Sequence, residues 1–148
     1  MAALRVENLR FRYASGDPDQ PFELRVKRLE LEEGEQMLLT ATSGGGKSTL
    51  LSLIAGLIDP LAGTVEVAGT NIHSLRGHAR DLFRGRKIGM IFQTFNLLQG
   101  FSAAENIKAA LMLAGKPPRE QKEKAAALLS QLGITRPYAP VEQLSVGQ

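Results

Sequence analysis

Apolar and polar residues alternate near the start of the chain. LRVENLRFRY, residues 4–13, has this period of two, and FELRVKRLEL, residues 22–31, repeats it after a segment rich in turn residues. A period of two predicts strands with one buried face, which we expect to pair antiparallel. QMLLTA, residues 36–41, is a short continuous apolar run, which is typical of a fully buried strand. We therefore expect three strands in the first 41 residues.

Helical spacing follows directly after a cluster of glycines. Apolar residues recur at i, i+3, i+4 and i+7 in the stretch that contains Leu50, Leu51, Leu53, Ile54, Leu57 and Ile58. This spacing predicts a helix buried along one face. TVEV, residues 64–67, and IGMIF, residues 88–92, predict further strands, and the basic segment 73–87 predicts a helix or a loop. The order of strand, glycine turn and helix indicates an α/β fold.

Two more helices are predicted in the last third of the chain. SAAENIKAALMLAG, residues 102–115, begins with Ser102 as N-cap, and Glu105 completes a capping box. PPREQKEKAAALLSQLG, residues 117–133, has proline near its start and Gly133 at its end, as helices prefer. We expect an α/β fold with a small added antiparallel β layer.

Composition and charge narrow the class of protein. The 148 residues have a formal net charge of +3 and no cysteine, so disulfides and cysteine-based metal sites are excluded. The longest apolar run, LLSLIAGLI, is too short to span a membrane, and the charged start is unlike a signal peptide. We expect a cytosolic chain. His73 and His78 lack a metal-ligand pattern. The basic residues are expected to form a solvated face rather than a nucleic-acid site: Arg76, Arg80, Arg84, Arg86 and Lys87.

The glycine cluster predicts a phosphate-binding loop. Glycines let successive backbone N–H groups point inward, and the following helix presents its positive end to the same place. In ATSGGGKST, residues 41–49, the curl would comprise Ser43, Gly44, Gly45 and Gly46. Lys47 would reach the β- and γ-phosphates, and the hydroxyl of Ser48 would hold Mg²⁺. Thr49 is expected among the nucleotide-binding residues as well. The alternative is a plain glycine turn between a strand and a helix.

The first position of this loop departs from the usual pattern. Ala41 lies six residues before Lys47, where G-x-x-x-x-G-K-[ST] has its first glycine. A β-carbon there costs little at negative φ and on the order of 1 kcal/mol or more at positive φ. We expect a loop that still binds phosphate, because the inner glycines are present.

Two further motifs carry a family resemblance. KIGMIFQTFNLLQGFSAAENI, residues 87–107, resembles the Q-loop region of ABC transporter ATPases, and LSVGQ at residues 144–148 resembles their LSGGQ signature. The resemblance implies a P-loop NTPase core with an N-terminal antiparallel β subdomain in residues 1–93. It places the Q-loop and part of a helical subdomain in residues 94–148. The wording of the Q-loop region resembles the lipoprotein-release and macrolide-export branch.

The resemblance also implies roles for individual residues. Gln93 matches the glutamine that contacts Mg²⁺ and the attacking water, although a strand-end cap is the simpler alternative. Tyr13 matches the aromatic residue that stacks on adenine, unless it packs on the core. Ser145 and Gly147 match residues that contact the γ-phosphate held by the other subunit of a head-to-tail homodimer. Val146 replaces the middle glycine of that signature.

The family pattern continues beyond the residues present in this chain. Its Walker B aspartate and the glutamate that follows are absent from the 148 residues, so we expect a truncated domain that binds ATP weakly or not at all and hydrolyses it negligibly. The expected role is that of an ATP-binding subunit at the inner face of the cell membrane, with separate transmembrane subunits as partners. The alternatives are a soluble ABC ATPase that does not transport, and a non-catalytic remnant that only binds a partner.

Overall fold

The structure is a computed structural model that describes residues 2–14, 22–94 and 96–145. The chain divides into two compact units, Met1–Phe83 and Arg84–Gln148. Among the described residues, none of the helices combines the length and apolar character that crossing a membrane requires.

The first unit is built on a four-stranded sheet whose strands follow the order β2-β1-β3-β4. All neighbouring strands are antiparallel. The strands are β1 (Ala2–Arg12), β2 (Glu23–Glu32), β3 (Ala62–Val67) and β4 (Thr70–Asn71). The first two confirm the prediction from alternation: Val6, opposite Leu29 on β2 and Val65 on β3, is fully buried.

Helices complete the first unit. Helix α1 (Lys47–Ile54) follows the glycine loop, and a short 3-10 helix (Ile72–Ser74) follows β4. Helix α2 (Gly77–Lys87) comes next, and the division between the two units falls within it. The buried side chains of α1 include Leu50 and Leu53, which lie on the predicted apolar face. Helix α1 is shorter than its apolar run, because Gly56 adopts a positive φ of 66° and ends the helix.

Two predicted buried strands do not form. Residues 36–41 and 88–92 have no strand structure, and within them Leu38 is 86% exposed and Ile91 is fully exposed. A continuous apolar strand of this kind requires neighbours on both edges and cover on both faces. The sheet of the described residues consists of the four antiparallel strands and offers these segments no such place. Both predictions are therefore wrong for this chain.

The second unit contains a helical hairpin. Helix α3 (Ala103–Leu113) and helix α4 (Pro118–Gln131) contact each other, and a 3-10 helix (Val141–Gln143) follows. The buried apolar residues of the two helices are Ala104, Ala125 and Leu129. The predicted capping box is confirmed, because Ser102 Oγ accepts from the Glu105 amide at 3.3 Å and the Ser102 amide donates to Glu105 Oε2 at 2.8 Å. These bonds fix the start of α3 as the sequence predicted.

Candidate phosphate-binding site

Two glycines of the loop have a backbone conformation that other residues rarely adopt. Gly44 and Gly46 have φ values of 76° and 83°, in the left-handed region that favours glycine. Ala41 is not among the non-glycine residues with positive φ, which in the described part of the chain are Asn8, Ala68 and Asn96. A β-carbon at residue 41 therefore meets no backbone strain.

Close contacts leave no room for a side chain at Gly45 or Gly46. An ideal β-carbon on Gly45 would lie 2.8 Å from Cβ of Ala41 and 3.0 Å from the carbonyl oxygen of Thr42. A β-carbon on Gly46 would lie 2.9 Å from Cζ of Phe22. The Gly45 amide donates to the Thr42 carbonyl at 3.1 Å, which closes the turn. The loop is therefore packed against its own backbone and against an aromatic ring.

The loop leads directly into the start of α1. Gly46 is the N-cap residue, and no side chain of the described residues caps this end of the helix. The first intrahelical bond runs from the Leu50 amide to the Gly46 carbonyl at 2.8 Å. The N–H groups of the first turn have no partner within a helix, and they lie at its positive end. This end of α1 has the features of an anion-binding site.

The Lys47 ammonium group folds back onto the loop. Its Nζ donates to the carbonyl oxygens of Ala41 and Thr42, at 2.7 and 3.0 Å. A cation held by two neutral carbonyls exchanges them readily for phosphate oxygens, because hydrogen bonds between charged groups are stronger. The hydroxyl residue that follows, Ser48, is exposed and therefore accessible to a ligand.

Tyr13 and Thr49 are joined by a hydrogen bond that the sequence did not predict. The Tyr13 hydroxyl lies 3.0 Å from Oγ1 of Thr49, which is 8% exposed. The ring of Tyr13 packs edge-on against Phe11, with centroids 4.8 Å apart, and lies 5.9 Å from the ring of Phe22. Tyr13 remains 46% exposed, so part of its ring is open to a ligand. The tyrosine thus connects the end of β1 to the phosphate-loop helix.

The remaining predicted site residues belong to the second unit or lie outside the described residues. Gln93 and Ser145 are both exposed in the second unit. Gly147 lies outside the described residues. The described part of the chain contains no group of three or more histidine, aspartate or glutamate side chains arranged to hold a metal ion.

Sequence reasoning missed a charged cluster in the first unit. Arg80, which was expected on a solvated face, has a side chain only 13% exposed and lies 2.8 Å from Asp59. His73 contacts the same carboxylate at 3.1 Å. The hydrogen bond from His73, together with that from Arg80, lowers the pKa of Asp59. The basic run could not show which of its arginines turns inward.

Comparison with known proteins identifies the family. The sequence profile of the ABC transporter family matches residues 24–148. The chain belongs to this family. It is 38% identical over 133 residues to the lipoprotein-releasing system ATP-binding protein LolD of Pseudomonas syringae pv. tomato, covering 90% of the chain and 58% of LolD. The methionine import ATP-binding protein MetN of Nocardia farcinica is 47% identical over 123 residues, covering 81% of the chain and 36% of MetN.

Solved structures of the family share the fold. The dimeric bacterial ABC transporter cassette MJ0796 superposes with a TM-score of 0.77 at 27% identity, over 98% of this chain and 64% of that one. The same cassette bound to ADP and Pi gives a TM-score of 0.76 at 27% identity, over 96% of this chain and 63% of that one. The α/β P-loop fold and the family resemblance are thus confirmed. The chain spans about 58% of the length of the LolD relatives.

Proposed function

We propose that this chain is the phosphate-binding part of the ATP-binding subunit of an ABC transporter. The geometry of the loop carries this proposal: glycines in the left-handed region, an uncapped helix start and a lysine ammonium held beside them. Each of these features favours a ligand with several anionic oxygens, because backbone amides and one cation converge on the same place. ATP is the ligand of this class that the family binds.

The roles of the site residues follow from their chemistry. Lys47 would leave its two carbonyl partners for the β- and γ-phosphates, and Ser48 would ligate Mg²⁺ with the phosphate oxygens. The exposed part of the Tyr13 ring would stack on adenine. Gln93 would contact Mg²⁺ and the attacking water, and Ser145 and Gly147 would contact ATP held by the other subunit of a head-to-tail dimer. The boundary at residue 93, between the β subdomain with the P-loop core and the Q-loop with the partial helical subdomain, stays a prediction.

We further propose that the 148 residues bind ATP weakly and hydrolyse it negligibly. Phosphoryl transfer to water requires a positioned nucleophile and a metal held from more than one side. The apolar segment at 36–41 is exposed, as are Ile91 and Phe92 of the second segment, and exposed apolar surface favours self-association. In the whole protein, the partners would be transmembrane subunits, and the location would be the inner face of the cell membrane.

The lysine provides a direct test of nucleotide binding. Lys47→Ala should weaken binding of Mg-ATP by the 148-residue chain by about tenfold or more, because a charge-assisted contact contributes about 1.5–3 kcal/mol. Titration calorimetry or a fluorescent ATP analogue measures the dissociation constant. Lys122→Ala is the matched control, since Lys122 is an exposed lysine in the second unit and should leave the affinity unchanged.

Two results would contradict these proposals. Equal affinities of the wild type and Lys47→Ala would show that the loop does not bind the triphosphate. Robust ATP hydrolysis by the purified 148 residues, abolished by the same substitution, would show that the chain needs no further catalytic group. Co-fractionation of the whole protein with ribosomes rather than with membranes would instead favour the non-transport alternative.

A further inference from the structure

Three charged side chains lie together at the C-terminal end of α1. Asp59 Oδ1 is 3.1 Å from Nδ1 of His73 and 2.8 Å from Nη1 of Arg80. The side chains of His73 and Arg80 are only 10% and 13% exposed, whereas that of Asp59 is 60% exposed. We call these three residues the charged cap. The Arg80 guanidinium is a nearly buried charge, and such a charge requires partners that offset the cost of its desolvation.

The charged cap contacts the backbone at the end of the phosphate-loop helix. His73 Nε2 lies 3.0 Å from the carbonyl oxygen of Leu53, in the last turn of α1, and Nη1 of Arg80 lies 3.5 Å from the carbonyl oxygen of Gly56. The last carbonyls of a helix lie at its negative end, and the carbonyl of Leu53 also accepts from the Gly56 amide at 3.0 Å. The Arg80 guanidinium and the hydrogen bond of His73 therefore add to the contacts that stabilise this end of α1.

Both ring nitrogens of His73 have an acceptor group within hydrogen-bond distance. Nδ1 of His73 faces a carboxylate of Asp59, and Nε2 faces the carbonyl of Leu53. The imidazole thus links the Asp59 carboxylate to the last turn of α1. The Arg80 guanidinium lies beside the same carboxylate and places a positive charge near the negative end of α1.

Packing fixes the same end of the helix from the side. Ile72 is fully buried, and a β-carbon on Gly56 would lie 2.9 Å from its Cδ1 and Cγ1. Arg80 also donates from Nε to the Leu75 carbonyl at 3.0 Å, and the His73 amide donates to Asn71 Oδ1 at 3.1 Å. The short 3-10 helix that bears His73 is thereby held against the residue that ends α1.

We propose that the charged cap positions α1 and, through it, the phosphate loop, so that Asp59, His73 and Arg80 are positioning residues for nucleotide binding. This inference rests on the proposed function of the loop. Helix α1 has only eight residues, and helices shorter than about 12 residues are marginal without tertiary contacts. Its N-terminal end must stay uncapped to receive phosphate. The charged cap supplies hydrogen bonds at the other end, in addition to the bond between Tyr13 and Thr49 near the start of the helix.

The test compares a substitution in the charged cap with an equally destabilising substitution elsewhere in the first unit. Arg80→Ala should weaken Mg-ATP binding by roughly threefold or more, since coupling through packed elements is of that order. Arg80→Lys, which retains the charge, should recover part of the loss. The control is Val6→Ala, which opens a cavity under β1 and should leave the affinity of the folded fraction unchanged. Affinities are measured on the 148-residue chain at a temperature where every variant is folded.

A second readout needs no nucleotide. Amide hydrogen exchange of α1 should accelerate by about threefold or more in Arg80→Ala, while the amides of β1 should exchange at the wild-type rate in that variant. In Val6→Ala, the amides of β1 should lose protection instead.

The outcomes separate the inference from the proposed function. If wild type fails to bind ATP, the proposed function fails, and the exchange rates of α1 still decide whether the charged cap holds the helix. If ATP affinity falls equally in Arg80→Ala and Val6→Ala, or if α1 exchanges at the wild-type rate without the arginine, the positioning role is overturned.

Discussion

Gly45→Ala tests the packing of the phosphate loop. The new methyl group would lie 2.8 Å from Cβ of Ala41 and 3.0 Å from the carbonyl oxygen of Thr42. Neither neighbour is the far end of a flexible side chain, so the backbone of the loop must move. The turn closed by the Gly45 amide and the Thr42 carbonyl, at 3.1 Å, would open as a result.

The expected loss of unfolding free energy follows from these two contacts. Overpacking of this kind costs about 1–3 kcal/mol of unfolding free energy. Ala41→Gly on its own should cost about 0.4–1 kcal/mol, because glycine adds freedom to the unfolded chain. In the double variant the 2.8 Å contact is gone, and the 3.0 Å contact with Thr42 remains. We therefore expect a partial rescue, with a coupling energy of about 1 kcal/mol in the double-mutant cycle.

The assay is urea denaturation of the four proteins of the cycle, followed by Mg-ATP titration of each. Gly45→Ala should be the weakest binder, since the displaced turn carries both carbonyls that hold the Lys47 ammonium group. Gly45→Ser, with a larger side chain, should cost at least as much. A neutral Gly45→Ala, or a double variant whose loss is the plain sum of the single losses, would refute the contact between residues 41 and 45.

Two further predictions concern the contacts around α1. Tyr13→Phe removes the hydroxyl that lies 3.0 Å from Thr49 and keeps the ring. It should lower the unfolding free energy, measured in urea melts, by about 0.5–1.5 kcal/mol and change the Mg-ATP affinity little. Tyr13→Ala should reduce both the unfolding free energy and the affinity. The imidazole and guanidinium that bond to Asp59 lower its pKa below the ordinary 3.8, so its contribution is present above that value and is lost as the pH falls through the folded-state pKa. Because the side chain is 60% exposed, the loss should be below about 1 kcal/mol, and melts of Asp59→Asn from pH 5 to 2 should lack this component; an unchanged pH profile would contradict the assignment.

Local signals in the sequence predicted most elements correctly. The alternation in β1 and β2, the capping box of Ser102 and Glu105, and the helix after the glycine loop depend on neighbours within a few residues. The sequence of each segment is therefore enough to predict these elements. The glycines with left-handed backbone at the loop belong to the same class of signal.

Other features depend on partners distant in the chain. The apolar runs at 36–41 and 88–92 indicate burial, but a buried strand requires neighbouring strands, and the four-stranded sheet supplies none for them. The hydrogen bond between Tyr13 and Thr49 spans 36 residues, and nothing near either residue predicts it. The inward turn of Arg80 likewise depends on Asp59, which precedes it by 21 residues.

The alanine at residue 41 shows which part of a loop residue matters. The carbonyl oxygen of Ala41 accepts the Lys47 ammonium at 2.7 Å, and this contact uses backbone atoms that every residue has. Its φ lies outside the left-handed region, so glycine gives no conformational advantage there. The methyl group instead occupies the space beside Gly45, where a second β-carbon has no room. Of residues 41 and 45, only residue 45 therefore requires glycine, and the alanine at residue 41 is compatible with a phosphate-binding loop.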